Sequence, residues 1–172
     1  AWIFYSIKAD SAPFWFDELF SLFWTQYDNI EDIKRVSSWD VNPPGYPIIL
    51  HYWNQSFGIS EFAVRSFSNM CMAIAFGLLF FFTKRFFDLR TAIVVAILFI
   101  TNSFLYFYAN EARCYAFLLM LSVLSNFIFA RMIIEPKWYL AVVLGVVNYY
   151  LFYTHFVVVS LFVFQGLFSV IC

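Results

Sequence analysis

Long apolar runs alternate with short polar breaks along the chain, and their lengths are the first informative feature. Runs close to the roughly 20 residues a helix needs to cross a bilayer extend from Glu61 to Thr83, Ala92 to Tyr108 and Tyr115 to Ile134. From Trp138 to Cys172 the sequence is almost wholly apolar and too long for one crossing. It divides at Tyr153-Thr154-His155 into a hairpin of 138–153 and 156–172. The pattern predicts an all-α fold, a polytopic transmembrane helical bundle, with its membrane helices in 61–172. Residues 1–60 read as the end of a first span followed by a long loop. Because the chain opens on Ala1-Trp2-Ile3-Phe4-Tyr5 and closes inside an apolar run, it reads as an N-terminal fragment, incomplete at both ends.

Composition strengthens the membrane reading. Apolar residues make up 63% of the chain and charged residues 12%, with a mean hydropathy of +0.77. Soluble domains hold about 45–50% apolar and about 25% charged residues. A net charge of −1 excludes the broad basic surface that nucleic acid would require. Cys71, Cys114 and Cys172 stand in apolar runs without metal-ligand spacing and read as small buried hydrophobes.

Charge also orients the spans. Two connecting turns carry Lys84, Arg85, Asp88 and Arg90, and then Arg131, Glu135 and Lys137, five bases against two acids. The opposite connections, 1–60 and the turn near Asn110, hold nine acids against five bases when the adjoining Glu61 and Arg65 are included. The positive-inside rule makes the first pair of turns cytoplasmic. The long acidic loop is then periplasmic, lumenal or extracellular.

That loop has structure of its own. Ser11-Ala12-Pro13 predicts a helix start, with Asp17 and Glu18 in an early turn where the helix dipole favours carboxylates. Phe14, Trp15, Phe16, Leu19, Phe20, Leu22, Phe23 and Trp24 surround them, which suits a helix lying in the membrane interface. Residues Asn29 to Ser37 predict a second, polar helix. Asn42-Pro43-Pro44-Gly45 breaks the chain before Tyr46 to Phe57 returns it to the membrane.

The unusual polar residues converge on this face. Asp17, Glu18, Asp40, Arg65, Glu111, Arg113, Tyr115 and His155 come from separate parts of the chain. Topology alone brings them to one interface. A sugar on a polyprenyl phosphate already carries a good leaving group, so its transfer needs a base for the acceptor hydroxyl and cations for the departing phosphate. One carboxylate, a few basic groups and an aromatic floor at the outer leaflet meet those needs.

Three blocks carry a resemblance. Phe14-Trp15-Phe16-Asp17-Glu18-Leu19-Phe20-Ser21 resembles the acidic first-loop motif of the membrane-embedded C-type glycosyltransferases. The nearest branch is the bacterial group related to protein O-mannosyltransferases and the lipid A aminoarabinose transferase. Asn42-Pro43-Pro44-Gly45-Tyr46-Pro47, followed by Phe57-Gly58-Ile59-Ser60-Glu61-Phe62-Ala63-Val64-Arg65, resembles that group's Pro-Pro, Phe-Gly and Glu…Arg stretch. Tyr108-Ala109-Asn110-Glu111-Ala112-Arg113-Cys114-Tyr115-Ala116 resembles its Glu-Ala-Arg turn, and Tyr153-Thr154-His155-Phe156 a weaker later feature. Asn42 stands where a His is frequent, and Cys114 where another residue type is usual.

The resemblance implies a multi-pass protein of a bacterial inner or plasma membrane, with its active site on the periplasmic or extracellular side. It implies an inverting transferase with a polyprenyl-phosphate sugar donor, membrane lipid around it and a protein, lipid or glycan acceptor. Asp17 matches the base; Glu18 would position the acceptor or orient Asp17. Arg65, Glu111, Arg113, Tyr115, Asp40 and His155 become the substrate and lipid-phosphate set. A divalent metal is left open, because relatives differ. The competing expectations are plainer: a snorkelling Arg65, an Arg113–Glu111 ion pair, a packed His155, solvated Lys34 and Arg35. Two other classes compete with the enzyme: a transporter or flippase of a lipid-linked substrate, and a non-catalytic scaffold subunit.

Overall fold

The computed structural model describes residues 13–40 and 42–171. The expected capping residue Ser11, together with Lys8 and Asp10, lies outside them. Every regular element among the described residues is helical.

Two helices are long and apolar enough to cross a membrane, α4 (Glu61–Phe86) and α7 (Tyr115–Ile134). The run 92–108, read from sequence as one span, is divided between α5 (Leu89–Thr101) and α6 (Ser103–Ala109), which meet at 64°. Asn102 explains the break: its side chain accepts from Phe104 N at 2.9 Å and Leu105 N at 3.1 Å, starting a new helix where the old one ends. The last two apolar stretches form the shorter helix α8 (Trp138–Phe152) and a 3₁₀ turn (Phe156–Val158) leading into α9 (Val159–Ile171). This is a helical membrane bundle.

Before the bundle come α1 (Phe16–Trp24), α2 (Ile30–Ser37) and α3 (Gly45–Phe57). The caps follow the sequence closely. Asn29 accepts from Glu31 N at 3.0 Å to begin α2, and Ser60 from Ala63 N at 3.2 Å to begin α4. Gly58 ends α3 at φ +88°, a conformation glycine adopts without a Cβ penalty.

Helix α4 is the central post, packed against α7, α5 and α3. Its buried Val64, Phe67, Cys71, Met72 and Ala75 meet Phe117 and Leu121 of α7, with Tyr46 and Leu50 of α3 closing one end. Small residues at the contact let membrane helices approach closely; Ser68, Cys71 and Ala75 supply them here. The outward faces stay apolar, as at Phe81, Ile97, Val146 and Phe164. In a membrane those faces meet lipid.

Three helices are also joined by a closed hydrogen-bond ring. Ser125 Oγ of α7 donates to Asn148 Oδ1 of α8 at 2.6 Å; Asn148 Nδ2 donates to Gln165 Oε1 of α9 at 3.0 Å; Gln165 Nε2 returns to Ser125 Oγ at 2.9 Å. Each member both donates and accepts, so no polar group faces hydrocarbon unpaired. Interhelical hydrogen bonds in membranes average about 0.6 kcal/mol and reach about 1.7. Replacing Gln165 with Leu is expected to loosen α9 by an amount in that range for each bond lost. Reversible unfolding in bilayer-like detergent measures it, and unchanged stability would show that packing alone holds α9.

Candidate active site

Helix α1 lies with its faces inverted relative to a soluble helix. Phe16, Leu19, Phe20 and Phe23 are exposed, while Glu18, Ser21, Leu22 and Thr25 are buried against the bundle. Its first turn carries Asp17 and Glu18. The apolar face suits the interface, which turns the acidic edge toward the protein.

Glu18 is 0% exposed and is held by four donors. Arg65 Nε reaches Oε1 at 2.9 Å and Arg65 Nη2 reaches Oε2 at 2.7 Å. The Ala112 amide donates to Oε1 at 2.8 Å, and the Trp15 amide, at the cap of Glu18's own helix, to Oε2 at 3.3 Å. A carboxylate offers about four acceptor directions, and all four are taken. Arg65 is equally enclosed: it is 4% exposed, its guanidinium lies 5.3 Å over the Phe14 ring, and Nη2 also reaches the Pro13 carbonyl at 3.3 Å. One charge pair thus ties α1, α4 and the turn 110–114 together.

Beside this clamp, Asp17 is half-buried, and among the described residues no donor rests on its carboxylate. The turn 110–114 is not helical, so Arg113 does not point away from Glu111's side as helical spacing would require. Instead Arg113 Nη1 reaches the Asp17 carbonyl at 3.3 Å and Ser21 Oγ at 3.5 Å. Its buried Nε has no hydrogen-bond partner among the described residues. Glu111 is 4% exposed. Burial raises its pKa to about 7, with Glu18 and Asp17 adding repulsion and Arg113 opposing.

Arg113 opens onto a small polar cleft of about 20 Å³, bounded by Ser21, Asp40, Asn42, Cys114 and Thr154. That is room for about one water molecule. His155 stands at its edge, its Nδ1 accepting from Val157 N at 3.1 Å to cap the 3₁₀ turn. Burial, and the Arg113 charge, lower the His155 pKa, while Asp40 works the other way. The Tyr115 ring centroid lies 6.5 Å from the His155 ring and 4.7 Å from that of Tyr108. All eight residues singled out from sequence fall in this one neighbourhood. Lys34 and Arg35 do not; they pair with Glu31 and Asp32, each at 2.8 Å, on the open face of α2.

Sequence reasoning missed the framework around the site. Gly45 donates its amide to Tyr153 O at 2.8 Å, and Tyr150 Oη donates to Gly45 O at 3.1 Å. A Cβ at Gly45 would run into the Tyr153 carbonyl and lie 2.9 Å from Thr154 Oγ1. Only glycine lets the Pro-Pro turn close on the turn that carries His155. A second seam joins α1 to α3. His51 Nδ1 lies 2.8 Å from the Thr25 carbonyl, which can only accept, so Nδ1 carries the proton; Nε2 then accepts from Gln55 Nε2 at 2.9 Å. Both ring nitrogens thus have a partner. Asn54 Nδ2 adds a bond to Thr25 Oγ1 at 2.9 Å.

With this geometry in hand, comparison with known families is decisive. A family model described as dolichyl-phosphate-mannose-protein mannosyltransferase matches residues 41–170. The chain belongs to that family. Membership makes this mannosyltransferase-family protein a glycosyltransferase of the mannosyltransferase kind. No curated protein and no solved structure matches it. The matched stretch includes Arg65 and the turn 110–114 but starts beyond Asp17 and Glu18, which enter the site through the clamp. Among the described residues no group of three or more His, Cys, Asp and Glu side chains could hold a metal ion.

Breaking the clamp by Glu18→Gln or Arg65→Leu leaves a buried charge uncompensated, at a cost of about 3–5 kcal/mol. Each single variant is expected to unfold that much more easily; equal stability would mean the pair is dispensable. Gly45→Ala is expected to separate the Pro-Pro turn from Tyr153. Cross-linking between cysteines placed at positions 43 and 154 reads that separation, and cross-linking as efficient as in the glycine parent counts against it.

Proposed function

We propose that this protein transfers a sugar, mannose being the first to test, from a polyprenyl-phosphate carrier to an acceptor hydroxyl at the outer membrane face. The observation that carries the reading is the clamp of Glu18 by Arg65 and the Ala112 amide. It leaves Asp17, half-buried and without a donor on its carboxylate among the described residues, beside the Arg113 guanidinium.

In this mechanism the acceptor O–H gives its proton to Asp17 as the oxygen attacks the sugar's anomeric carbon. The bond from that carbon to the phosphate oxygen breaks on the opposite side, so configuration inverts. The phosphate leaves with the bonding pair, and Arg113 balances its charge. Glu18 acts by orienting Asp17, because its own oxygens are filled. Arg65 is taken up by Glu18, which assigns the phosphate contact to Arg113 rather than to Arg65. Asp40, Tyr115 and His155 line the approach for the sugar-phosphate headgroup. The exposed aromatic face of α1 suits a site at the depth of the donor's phosphate, and the basic turns at the other end of the bundle support an outer location by the positive-inside rule.

One observation favours a transporter or flippase: the break at Asn102 divides an apolar run, as discontinuous transporter helices do. Yet Asn102 uses its side chain to cap α6, and no charged residue stands at the break. A scaffold role would make Asp17 dispensable.

Replacing Asp17 with Asn keeps the shape and removes the base. Transfer is expected to fall at least about 100-fold while folding is retained. The test uses full-length protein in membranes supplied with a labelled polyprenyl-phosphate mannose. Undiminished transfer would overturn the mechanism.

A further inference from the structure

The charges around the site do not balance. Two arginines, Arg65 and Arg113, face four carboxylates: Asp17 and Glu18 on α1, Asp40 after α2, and Glu111 in the turn 110–114. Glu18 and Arg65 form one closed pair. Arg113 is then the cation whose charge is felt by Asp17 and Glu111, with Asp40 across the cleft, and, on the function proposed above, by the donor's phosphate. Glu111 is the carboxylate in the poorest position to stay charged. It is buried, its Oε2 has no hydrogen-bond partner among the described residues, and its other titratable neighbours, Cys114 and Tyr115, are not cations.

We propose that Glu111 is a positioning residue that takes up a proton when the donor binds, so that Arg113 can turn its charge to the phosphate. An ionised Glu111 would compete with that phosphate for one guanidinium and would repel it across a dry site. Protonated, it adds no charge and its carboxyl can donate a hydrogen bond. The inference rests on the donor's phosphate lying at Arg113.

The sign follows from linkage. Without donor, Glu111 changes charge near pH 7; a phosphate anion nearby adds negative charge and moves that transition upward. Below pH 7 Glu111 is already protonated and binding takes up little. Above pH 7 binding must bring a proton with it, so affinity falls by up to about tenfold per pH unit until the raised transition is passed. Asp17 and Asp40 also lie near Arg113, and so does His155. Its pKa is lowered below 6.5, so its contribution belongs to the acid side.

The probe is a short-chain isoprenyl phosphomannose. It is a phosphodiester and keeps one negative charge across this range, unlike a monoester phosphate with its transition near about pH 6. Titration calorimetry of the full-length protein, without acceptor, at pH 8 in two buffers of different ionisation enthalpy counts the protons taken up. Wild type is expected to take up a large fraction of one proton, Glu111→Gln none, and His155→Gln as much as wild type. Affinity should fall by several-fold between pH 7 and pH 8 in wild type and stay flat in Glu111→Gln. Zero uptake by wild type overturns the proposal, as does uptake lost in His155→Gln. Uptake kept in Glu111→Gln overturns it too; if that variant does not fold, the same count on Asp17→Asn and on Asp40→Asn decides, and uptake lost in either overturns the proposal. Arg113→Gln separates the two levels of argument. Binding indifferent to that change sinks the placement of the phosphate, and this inference with it. Binding that depends on Arg113 without proton uptake sinks this inference alone.

Discussion

Everything near the site depends on a carboxylate being kept charged where water does not reach. Glu18 lies wholly buried, and taking such a group out of water costs several kcal/mol even after relaxation. The protein offsets this by completeness. Two arms of Arg65 and two backbone amides occupy its oxygens, so neither charge keeps an unmet demand. A pair that exact in its partners has one arrangement, and that arrangement sets the pose of α1 on the bundle. Asp17 inherits its position from its neighbour.

The same completeness divides labour between adjacent acids. Successive residues on a helix point about 100° apart, so Asp17 and Glu18 cannot face one atom equally. Glu18 faces α4 and the turn 110–114; Arg113 meets the Asp17 backbone carbonyl and Ser21 and feels the Asp17 charge. A saturated carboxylate makes a strut, and one without donors can accept a proton. The chemistry assigned to Asp17 and the rigidity assigned to Glu18 therefore come from one short turn of helix.

How far the sequence reveals this varies with the physical range involved. The two full-length spans, the polar helix that starts near Asn29, and the convergence of eight polar residues follow from local pattern and topology, and all were legible. The pairing of Arg65 with Glu18 spans 47 residues and was not read, although two lone opposite charges in apolar surroundings were a usable signal. Attention to charge also hid the ring of Ser125, Asn148 and Gln165, where uncharged polar residues in three successive apolar runs were the clue. Asn102 read as part of a span because an isolated asparagine does not interrupt hydropathy; only its capping geometry shows the bend. Gly45 could be seen as a turn former, but not as a point of backbone contact with Tyr153, since contact across 108 residues has no local signature.

A charge clamp of this kind is strong only while it stays dry, and the dryness has two sources. On one side the bundle closes over it through Phe14, the Pro13 carbonyl and the packed turn at Ala112. On the other, the exposed face of α1, with Phe16, Leu19, Phe20 and Phe23, needs an apolar surface of its own. The membrane interface supplies one. Seating that face in the interface presses the buried edge of α1 against α4, which excludes water from the clamp and strengthens the attraction that holds α1 in place. On the function proposed above, membrane insertion and closure of the clamp would support one another, with lipid as the further wall.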